Sequence, residues 1–225
     1  MRTLTALAAT ALTIALAAAP AAAAGPTPIA HRGAGGTGIE NTVEAFSTTS
    51  ATTWEADLRW SADGVPVLLH DADLGVFGCP AVQIAAVSAV RAAQCGPLAR
   101  LANVVTLLQE RPGTRLWLEL KTPPTAVQWT VLEARLAPVK SRVVIEAFGP
   151  IRLEKASKRG FETAFLTRTP ATTLPAGTDW YASEWKALTD GQVLALHLAG
   201  LKVAAWTPDR ADWPRGVDAV ITNQP

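Results

Sequence analysis

Acidic residues occur in two apolar segments of the chain at a spacing of two. Glu55 and Asp57 lie in Trp-Glu-Ala-Asp-Leu, and Glu119 and Lys121 lie in Leu-Glu-Leu-Lys. Because side chains alternate between the two faces of a β-strand, both members of each pair project from one face. Crowded carboxylates repel one another and lose hydration, so they need a compensating cation. The three carboxylates of Glu55, Asp57 and Glu119 suit one hard divalent ion, Ca²⁺ or Mg²⁺.

Two of the three histidines are predicted to lie at strand ends. His31 ends Pro-Ile-Ala-His, and His70 ends Val-Leu-Leu-His. An imidazole titrates near neutral pH, so this pair could act as general acid and general base. Arg32 and Lys121 would supply positive charge for an anionic substrate such as a phosphate. His197 falls in an apolar helical stretch and is predicted to be a structural residue.

An alternation of strand-like and helix-like segments would position these groups. It predicts a single-domain α/β fold, a short (β/α)8 TIM barrel with the active site at the carboxyl ends of the strands. The predicted strands are 27–31, 53–59, 115–121, 142–148, 161–166, 179–183, 201–206 and 217–222. The predicted helices are 43–49, 101–111, 126–136, 151–159 and 189–199. Residues 65–70 should return from the second strand as a hairpin, and some helices should be brief or missing.

The amino terminus has the pattern of a secretory signal peptide. Arg2 precedes a short apolar run and an alanine tract that ends near Ala24. A basic start, an apolar stretch and small residues before a cleavage site are typical of export. We therefore expect cleavage near Ala24, which removes residues 1–24 and leaves residues 25–225 as one secreted or extracytoplasmic domain. An uncleaved membrane anchor is the alternative, and no later segment is long enough to cross a bilayer.

The two cysteines agree with an exported protein. Cys79 and Cys95 lie in a stretch that contains glycine and proline. In an oxidising compartment we expect them to form one disulfide that staples a small insertion after the second barrel strand. A metal site made from these two alone is disfavoured, because structural zinc usually has four ligands.

Composition excludes several other classes of function. The 225 residues are 49% hydrophobic and carry 20 basic and 19 acidic side chains, with a formal net charge of +1. A chain of this kind buries a substantial core and is not disordered. Its balanced charge provides no general attraction to nucleic acid, so nucleic acid is not an expected partner. No protein partner is implied either.

Several short motifs follow one another in a characteristic order. They are His31-Arg32-Gly33, Glu40-Asn41-Thr42 with Phe46, Glu55-Ala56-Asp57, Asp63-Gly64, His70-Asp71, Glu119-Leu120-Lys121, Ala205-Trp206-Thr207 and the last strand. The ordered set covers nearly the whole chain after the signal peptide. It resembles the glycerophosphodiester phosphodiesterase family, whose barrel is like that of phosphatidylinositol-specific phospholipase C.

The resemblance implies a metal-dependent hydrolase that acts on small glycerophosphodiesters and releases glycerol 3-phosphate and an alcohol. In this family a glycerol hydroxyl attacks the phosphorus, and water then opens a cyclic phosphate. The resemblance assigns the divalent ion to Glu55, Asp57 and Glu119. It assigns the acid/base pair to His31 and His70, without saying which residue has which part.

The same resemblance implies roles for residues around this centre. Arg32 and Lys121 would bind the phosphate. Trp206 would line the substrate pocket, or would only fill the barrel as an ordinary core aromatic. Glu40 would be a further metal ligand or a supporting group, and Asn41 would fix its loop.

Two of the positions that depart from the family's pattern lie at strand ends. Asn223 follows the last strand where an acidic residue is common, and this would weaken a hydrogen bond at the barrel mouth. Glu146 ends the fourth strand where small polar residues are frequent. Its negative charge would reshape the substrate site or disfavour an anionic head group.

Two other functions stay open at this point. The first is a phospholipase D-like enzyme of the sphingomyelinase D type, which shares the histidines and carboxylates and cleaves lysolipids. The second is a secreted barrel that binds a ligand without turnover. A binding protein has no need of two histidines beside three carboxylates, and their joint presence argues against the second function.

Overall fold

The computed structural model describes residues 25–80, 82–171, 173–208 and 213–225, and the predicted signal peptide lies outside them. The described strands are β1 (Thr27–Ala30), β2 (Thr53–Trp60), β3 (Pro66–Leu68), β4 (Arg115–Leu120), β5 (Val143–Ala147), β6 (Glu162–Thr167), β7 (Trp180–Glu184), β8 (Lys202–Trp206) and β9 (Ala219–Thr222). Eight of them are parallel and form a closed barrel in the order β1-β2-β4-β5-β6-β7-β8-β9, and β9 pairs with β1. Strand β3 returns antiparallel to β2, as the hairpin pattern predicted. The predicted TIM barrel is confirmed.

The helices that cover the barrel are short. They are α1 (Val43–Thr48), α2 (Ala89–Ala92), α3 (Leu101–Glu110), α4 (Ala126–Leu136), α5 (Pro150–Ser157) and α6 (Asp190–Leu198). Thr42, Thr125 and Thr189 precede α1, α4 and α6, and the hydroxyl oxygen of each accepts a hydrogen bond from a backbone N–H of the first turn. Such N-caps satisfy donors that the helix itself leaves unpaired. The described residues between β6 and β7 form no α-helix, as a short barrel requires.

Alternation along β2 separates the core from the site. Trp54, Ala56 and Leu58 point outward and share one apolar cluster with residues of α3 and α4. Glu55 and Asp57, in the opposite phase, are buried inside the barrel. Outward packing therefore fixes which face of β2 carries the carboxylates.

Apolar and charged side chains close the amino-terminal end of the barrel. Trp117 and Trp180 meet edge to face inside it, with ring centroids 4.8 Å apart. Below them, Glu162 accepts hydrogen bonds from Trp180 Nε1 (2.6 Å), Arg115 (2.5 Å) and Lys202 (3.1 Å). These described side chains thus fill the amino-terminal end of the barrel, and the cleft lies at the carboxyl ends of its strands.

The insertion between β3 and α3 has its own small core. Leu74 and Ile84 pack against the outer side of the hairpin, and a disulfide joins Cys79 to Cys95 with 6.1 Å between the Cα atoms. Phe77 lies so close to Gly96 that a Cβ atom at position 96 would approach its ring to 2.5 Å. The predicted disulfide and its place in the fold are confirmed.

His197 lies on α6, outside the barrel. Its Nε2 is 2.9 Å from Asp218 Oδ2, and the same oxygen accepts a hydrogen bond from the backbone N–H of Val203. This contact ties α6 to the strands, in agreement with the structural role predicted for His197. Among the described residues, no helix has the length and apolar character needed to cross a bilayer.

Candidate active site

Three carboxylates meet inside the barrel near the carboxyl ends of its strands. Glu55 and Asp57 project from β2, and Glu119 projects from β4, where it pairs in register with Asp57. One oxygen of each carboxylate lies within 4.8 Å of the others, and all three residues are buried. Oxygen donors held this close together fit a hard divalent ion.

Two basic side chains contact this cluster. Lys121 Nζ lies 2.9 Å from Asp57 Oδ1 and 2.7 Å from Glu119 Oε2. Arg32 Nε lies 3.2 Å from Asp57 Oδ2. Burial alone would raise the pKa of Asp57, but the charges of Lys121 and Arg32 outweigh it and hold this pKa below its usual value. Asp57 is therefore ionised at neutral pH.

Glu146 adds a fourth carboxyl to the cluster. It lies on β5 in register with Glu119, is fully buried, and its Oε2 accepts no hydrogen bond from any described residue. Burial, reinforced by the neighbouring carboxylates, raises the pKa of both Glu146 and Glu55 well above the usual value. If all four carboxyls ionised, Arg32 and Lys121 would leave two negative charges uncompensated. A divalent cation carries the matching charge.

His31 stands at the end of β1, at the edge of this cluster. Its Nδ1 lies 2.7 Å from Asn223 Oδ1, and its Nε2 lies 3.9 Å from Glu55 Oε2. Burial and then the charge of Arg32 lower the pKa of His31. In the tautomer that donates Nδ1–H to Asn223, the lone pair of Nε2 faces the cleft. The hydrogen bond at the barrel mouth, which the replacement of an acidic residue by Asn223 was expected to weaken, is therefore present. Its acceptor is the neutral amide oxygen of Asn223.

His70 follows β3 and lines the same cleft. Its Nδ1 lies 3.0 Å from Asp71 Oδ1. Arg59 of β2 donates hydrogen bonds to the backbone carbonyls of Leu69 (3.1 Å) and His70 (2.6 Å). The sequence interpretation did not identify Arg59 as a positioning residue, although it continues the spacing of two from Glu55 and Asp57.

Asn41 and Glu40 occupy different places beside the cluster. Asn41 Nδ2 donates to Asp57 Oδ2 (2.7 Å), and its Oδ1 accepts from the Asp57 backbone N–H (3.0 Å). The two bonds join the loop after β1 to strand β2. Both carboxylate oxygens of Glu40 lie 3.0 Å from Arg32 Nη1. The contact places Glu40 as a support for Arg32, away from the three grouped carboxylates.

Aromatic side chains form the other wall of the cleft. Phe148 and Trp206 meet edge to face at 5.9 Å, and the Trp206 Nε1–H donates to the Ala182 carbonyl at 3.2 Å. Trp206 thus lines the cleft and also packs on the barrel interior. Arg168, after β6, completes this wall. Sequence reasoning did not single out Phe148 or Arg168, and their only signal was a position just past a strand end.

The structure brings most of the predicted site residues into one cleft with about 540 Å³ of empty space. Those that line it are His31, Arg32, Glu55, His70, Glu119, Lys121 and Trp206. Asp57 lies beneath them, and Glu40 and Asn41 flank them. A buried carboxylate cluster beside two imidazoles and two cations can bind a phosphate diester and move protons to and from its oxygens.

Comparisons with known proteins agree with this chemistry. The sequence profile of the glycerophosphoryl diester phosphodiesterase family matches residues 31–88. A curated relative, Probable glycerophosphodiester phosphodiesterase 2 of Mycobacterium tuberculosis, is 29% identical over 201 residues, which cover 76% of this chain and 75% of the relative.

Two solved structures share the fold at low sequence identity. One, from Galdieria sulphuraria and provisionally named a glycerophosphodiester phosphodiesterase, has a TM-score of 0.79 and 21% identity, and covers 89% of this chain and 94% of its own. The other is an Oleispira antarctica phosphodiesterase in complex with the product sn-glycerol-3-phosphate. It has a TM-score of 0.74 and 19% identity, with 89% and 94% of the chains covered.

Proposed function

We propose that the chain is a member of the glycerophosphodiester phosphodiesterase family, and that it is a secreted, metal-dependent enzyme that converts glycerophosphodiesters to glycerol 3-phosphate and an alcohol. The observation that carries this proposal is the single cleft that holds three carboxylates, two histidines and two cations. The product complex of the Oleispira antarctica relative supports the choice of product.

Glu55, Asp57 and Glu119 would hold the divalent ion. Their donor set consists of carboxylate oxygens, which Ca²⁺ and Mg²⁺ prefer, and the uncompensated charge of the cluster favours a dication. When bound, such an ion stabilises negative charge that develops on phosphoryl oxygens. Arg32 and Lys121 line the cleft beside these carboxylates and offset the repulsion between them and an anionic substrate.

His31 is the better placed of the two histidines to act first as a base. Its pKa is lowered, its Nδ1 is engaged by Asn223, and its Nε2 is left to accept a proton. His70 would then be the acid, because its Nδ1 is engaged by Asp71 at 3.0 Å, which orients the ring and leaves Nε2 to serve the leaving alcohol.

The reaction would proceed in two proton-balanced steps. His31 Nε2 removes the proton of a glycerol hydroxyl, and the oxygen of that hydroxyl forms a bond to phosphorus. The bond from phosphorus to the alcohol oxygen breaks as His70 donates a proton to that oxygen. Water then opens the cyclic phosphate with the two histidines in exchanged roles, so both regain their starting protonation states.

The direct test is release of glycerol 3-phosphate by the purified, disulfide-intact protein. We expect turnover with Ca²⁺ or Mg²⁺, loss of turnover in chelator, and a loss of at least about 100-fold in His31→Ala, since acid–base catalysis contributes 10²–10⁴-fold. His197→Gln is the matched control, because His197 lies outside the barrel. Full activity in chelator would refute metal dependence. Cleavage of lysophospholipid in place of glycerophosphodiesters would favour the phospholipase D-like alternative.

Export is a separate part of the proposal, supported by residues 1–24 and by the disulfide. Expression of the full chain in its own type of host, followed by amino-terminal sequencing of the secreted protein, tests it. We expect a new amino terminus near Gly25. Retention of residues 1–24 in the membrane fraction would instead identify an anchor.

A further inference from the structure

Arg168 lies on the aromatic wall of the cleft. Its guanidinium carbon is 4.5 Å from the centroid of the Phe148 ring and 6.0 Å from that of Trp206. Phe148 and Trp206 are half-buried, whereas Arg168 itself is exposed at the rim. The mechanism proposed above gives Arg168 no part, although the residue lines the same cleft.

The order of strands places this cation across the barrel from the reacting groups. In the closed barrel, β6 is four strands from β1 in either direction, so the residues that follow these two strands face each other. Arg168 follows β6 and His31 follows β1. A substrate whose phosphate lay beside His31 and the carboxylates could therefore reach Arg168 with its far end, since both residues line one cleft.

Stacking determines which chemistry Arg168 can recognise. The guanidinium lies over the Phe148 ring, and its side chain is exposed at the rim, so its N–H donors are accessible to a ligand in the cleft. An arginine held in this way is suited to bind a carboxylate or phosphate through two N–H groups. A quaternary ammonium group would find the Phe148 face covered and would be repelled by the like charge.

We propose that Arg168 selects substrates that carry a second anionic group, a carboxylate or a phosphate, at the end that lies against Phe148 and Trp206. This inference rests on the proposed function and narrows its substrate class. It also bears on Glu146, whose negative charge was expected to reshape the substrate site or to disfavour an anionic head group. Because Glu146 is fully buried and Arg168 is exposed at the rim, the charge that a head group meets first is positive.

The alternative role of Arg168 is structural: its side chain would pack over the rings of Phe148 and Trp206 without binding substrate. The two uses differ in one measurable respect. A packing residue would affect kcat/KM equally for all substrates. An anion-binding residue would change the ratio of kcat/KM between substrates that differ only by a charge.

Two matched pairs of substrates isolate that charge. Glycerophosphoserine differs from glycerophosphoethanolamine by one carboxylate, and glycerophosphoglycerol phosphate differs from glycerophosphoglycerol by one terminal phosphate. In the second pair, the products also show whether the glycerol that carries the terminal phosphate is the attacking group or the leaving group. Glycerol bisphosphate is released if that glycerol attacks, and two molecules of glycerol monophosphate are released if it leaves.

We expect the anionic member of at least one pair to have a kcat/KM about 5-fold higher or more, as befits a charge-assisted contact at an exposed site. Arg168→Gln should bring this ratio close to one, and Arg168→Lys should give an intermediate ratio. Added salt should lower the ratio in the wild type, because exposed charges are screened. Arg159→Gln is the matched control, since Arg159 stacks on Trp129 outside the barrel at 4.7 Å.

Two results would overturn the inference while leaving the proposed function in place. One is turnover of all four substrates with ratios near one in the wild type. The other is a preference that Arg168→Gln leaves unchanged, with the variant shown by its thermal unfolding to be folded. Absence of turnover on all four substrates would overturn both the inference and the proposed function.

Discussion

Two hydrogen bonds join the side chain of Asn41 to Asp57, one to its carboxylate (2.7 Å) and one from its backbone N–H (3.0 Å). Asn41 itself has a φ of 60°, in the left-handed region that asparagine tolerates better than most residues. The loop after β1 is thereby attached to one of the three grouped carboxylates. Asn41 thus acts as a positioning residue for Asp57.

Asn41→Ala removes both bonds to Asp57. We expect divalent-ion affinity to fall about 10- to 100-fold, the usual cost of losing a group that orients a ligand. Titration calorimetry with Ca²⁺ and Mg²⁺ measures the effect without reference to turnover. Thr130→Ala, in α4 on the outer layer, is the control. An unchanged affinity in Asn41→Ala would show that Asp57 does not depend on this support.

Asn223→Asp replaces a neutral acceptor of His31 with a charged one. A negative charge 2.7 Å from Nδ1 favours the imidazolium form and raises the pKa of His31. A base that is protonated at higher pH loses activity sooner on acidification. We therefore expect the acidic limb of the pH profile of kcat/KM to move to higher pH, while the basic limb stays. An unmoved acidic limb would argue that His31 is not the base.

Glu146 should make the stability of the ion-free protein depend on pH. Burial and neighbouring carboxylates raise its folded-state pKa well above 4.5, so between these values the folded protein binds more protons than the unfolded chain. Stability must then fall as pH rises through that window. The lowered pKa of His31 acts in the opposite direction, but only below pH 6.5.

The contribution of Glu146 can be isolated by comparing the wild type with Glu146→Gln. The free energy of unfolding of each protein is measured with urea, in chelator, at a series of pH values. Because glutamine does not ionise, the fall in unfolding free energy with rising pH should be shallower in the variant than in the wild type. Divalent cation should restore stability to the wild type at high pH, where it offsets the carboxylate charges. Parallel pH curves for the two proteins would contradict the raised pKa of Glu146.

Cys95→Ser opens the disulfide loop of the insertion. A crosslink between residues separated by 16 positions is worth about 3 kcal/mol in the chain-entropy account. We expect a loss of this order in the free energy of unfolding, measured by urea, and a similar loss when the wild type is reduced. The small core around Leu74 and Ile84 would be the first part to open. A reduced protein as stable as the oxidised one would contradict this.

How much of the site the sequence reveals depends on where its residues lie. Glu55, Asp57 and Glu119 lie within strands, where a spacing of two fixes the face, and the outward packing of Trp54 and Leu58 confirms that face. Arg168 lies past a strand end, where the direction of the chain depends on the tertiary packing of the loop. Its pairing with Phe148 has no sequence signature.

Two further features depend on contacts between strands. Glu146 joins the cluster because β5 pairs with β4 in the register that sets it against Glu119. That register is a property of barrel closure. Arg59 follows the same spacing as Glu55 and Asp57, but it holds the backbone at His70, just after β3, and β3 lies beside β2 only in the folded protein.

The filled end of the barrel makes the cleft a blind well. Among the described residues, Trp117, Trp180 and the Glu162 contacts beneath them fill that end, so in the proposed reaction substrate, water and both products would share one mouth. In the proposed reaction, the alcohol that leaves in the first step would have to depart before the water of the second step could take its place. Release would then be ordered, with the alcohol first and glycerol 3-phosphate last, and the last product would compete with the next substrate for the empty well.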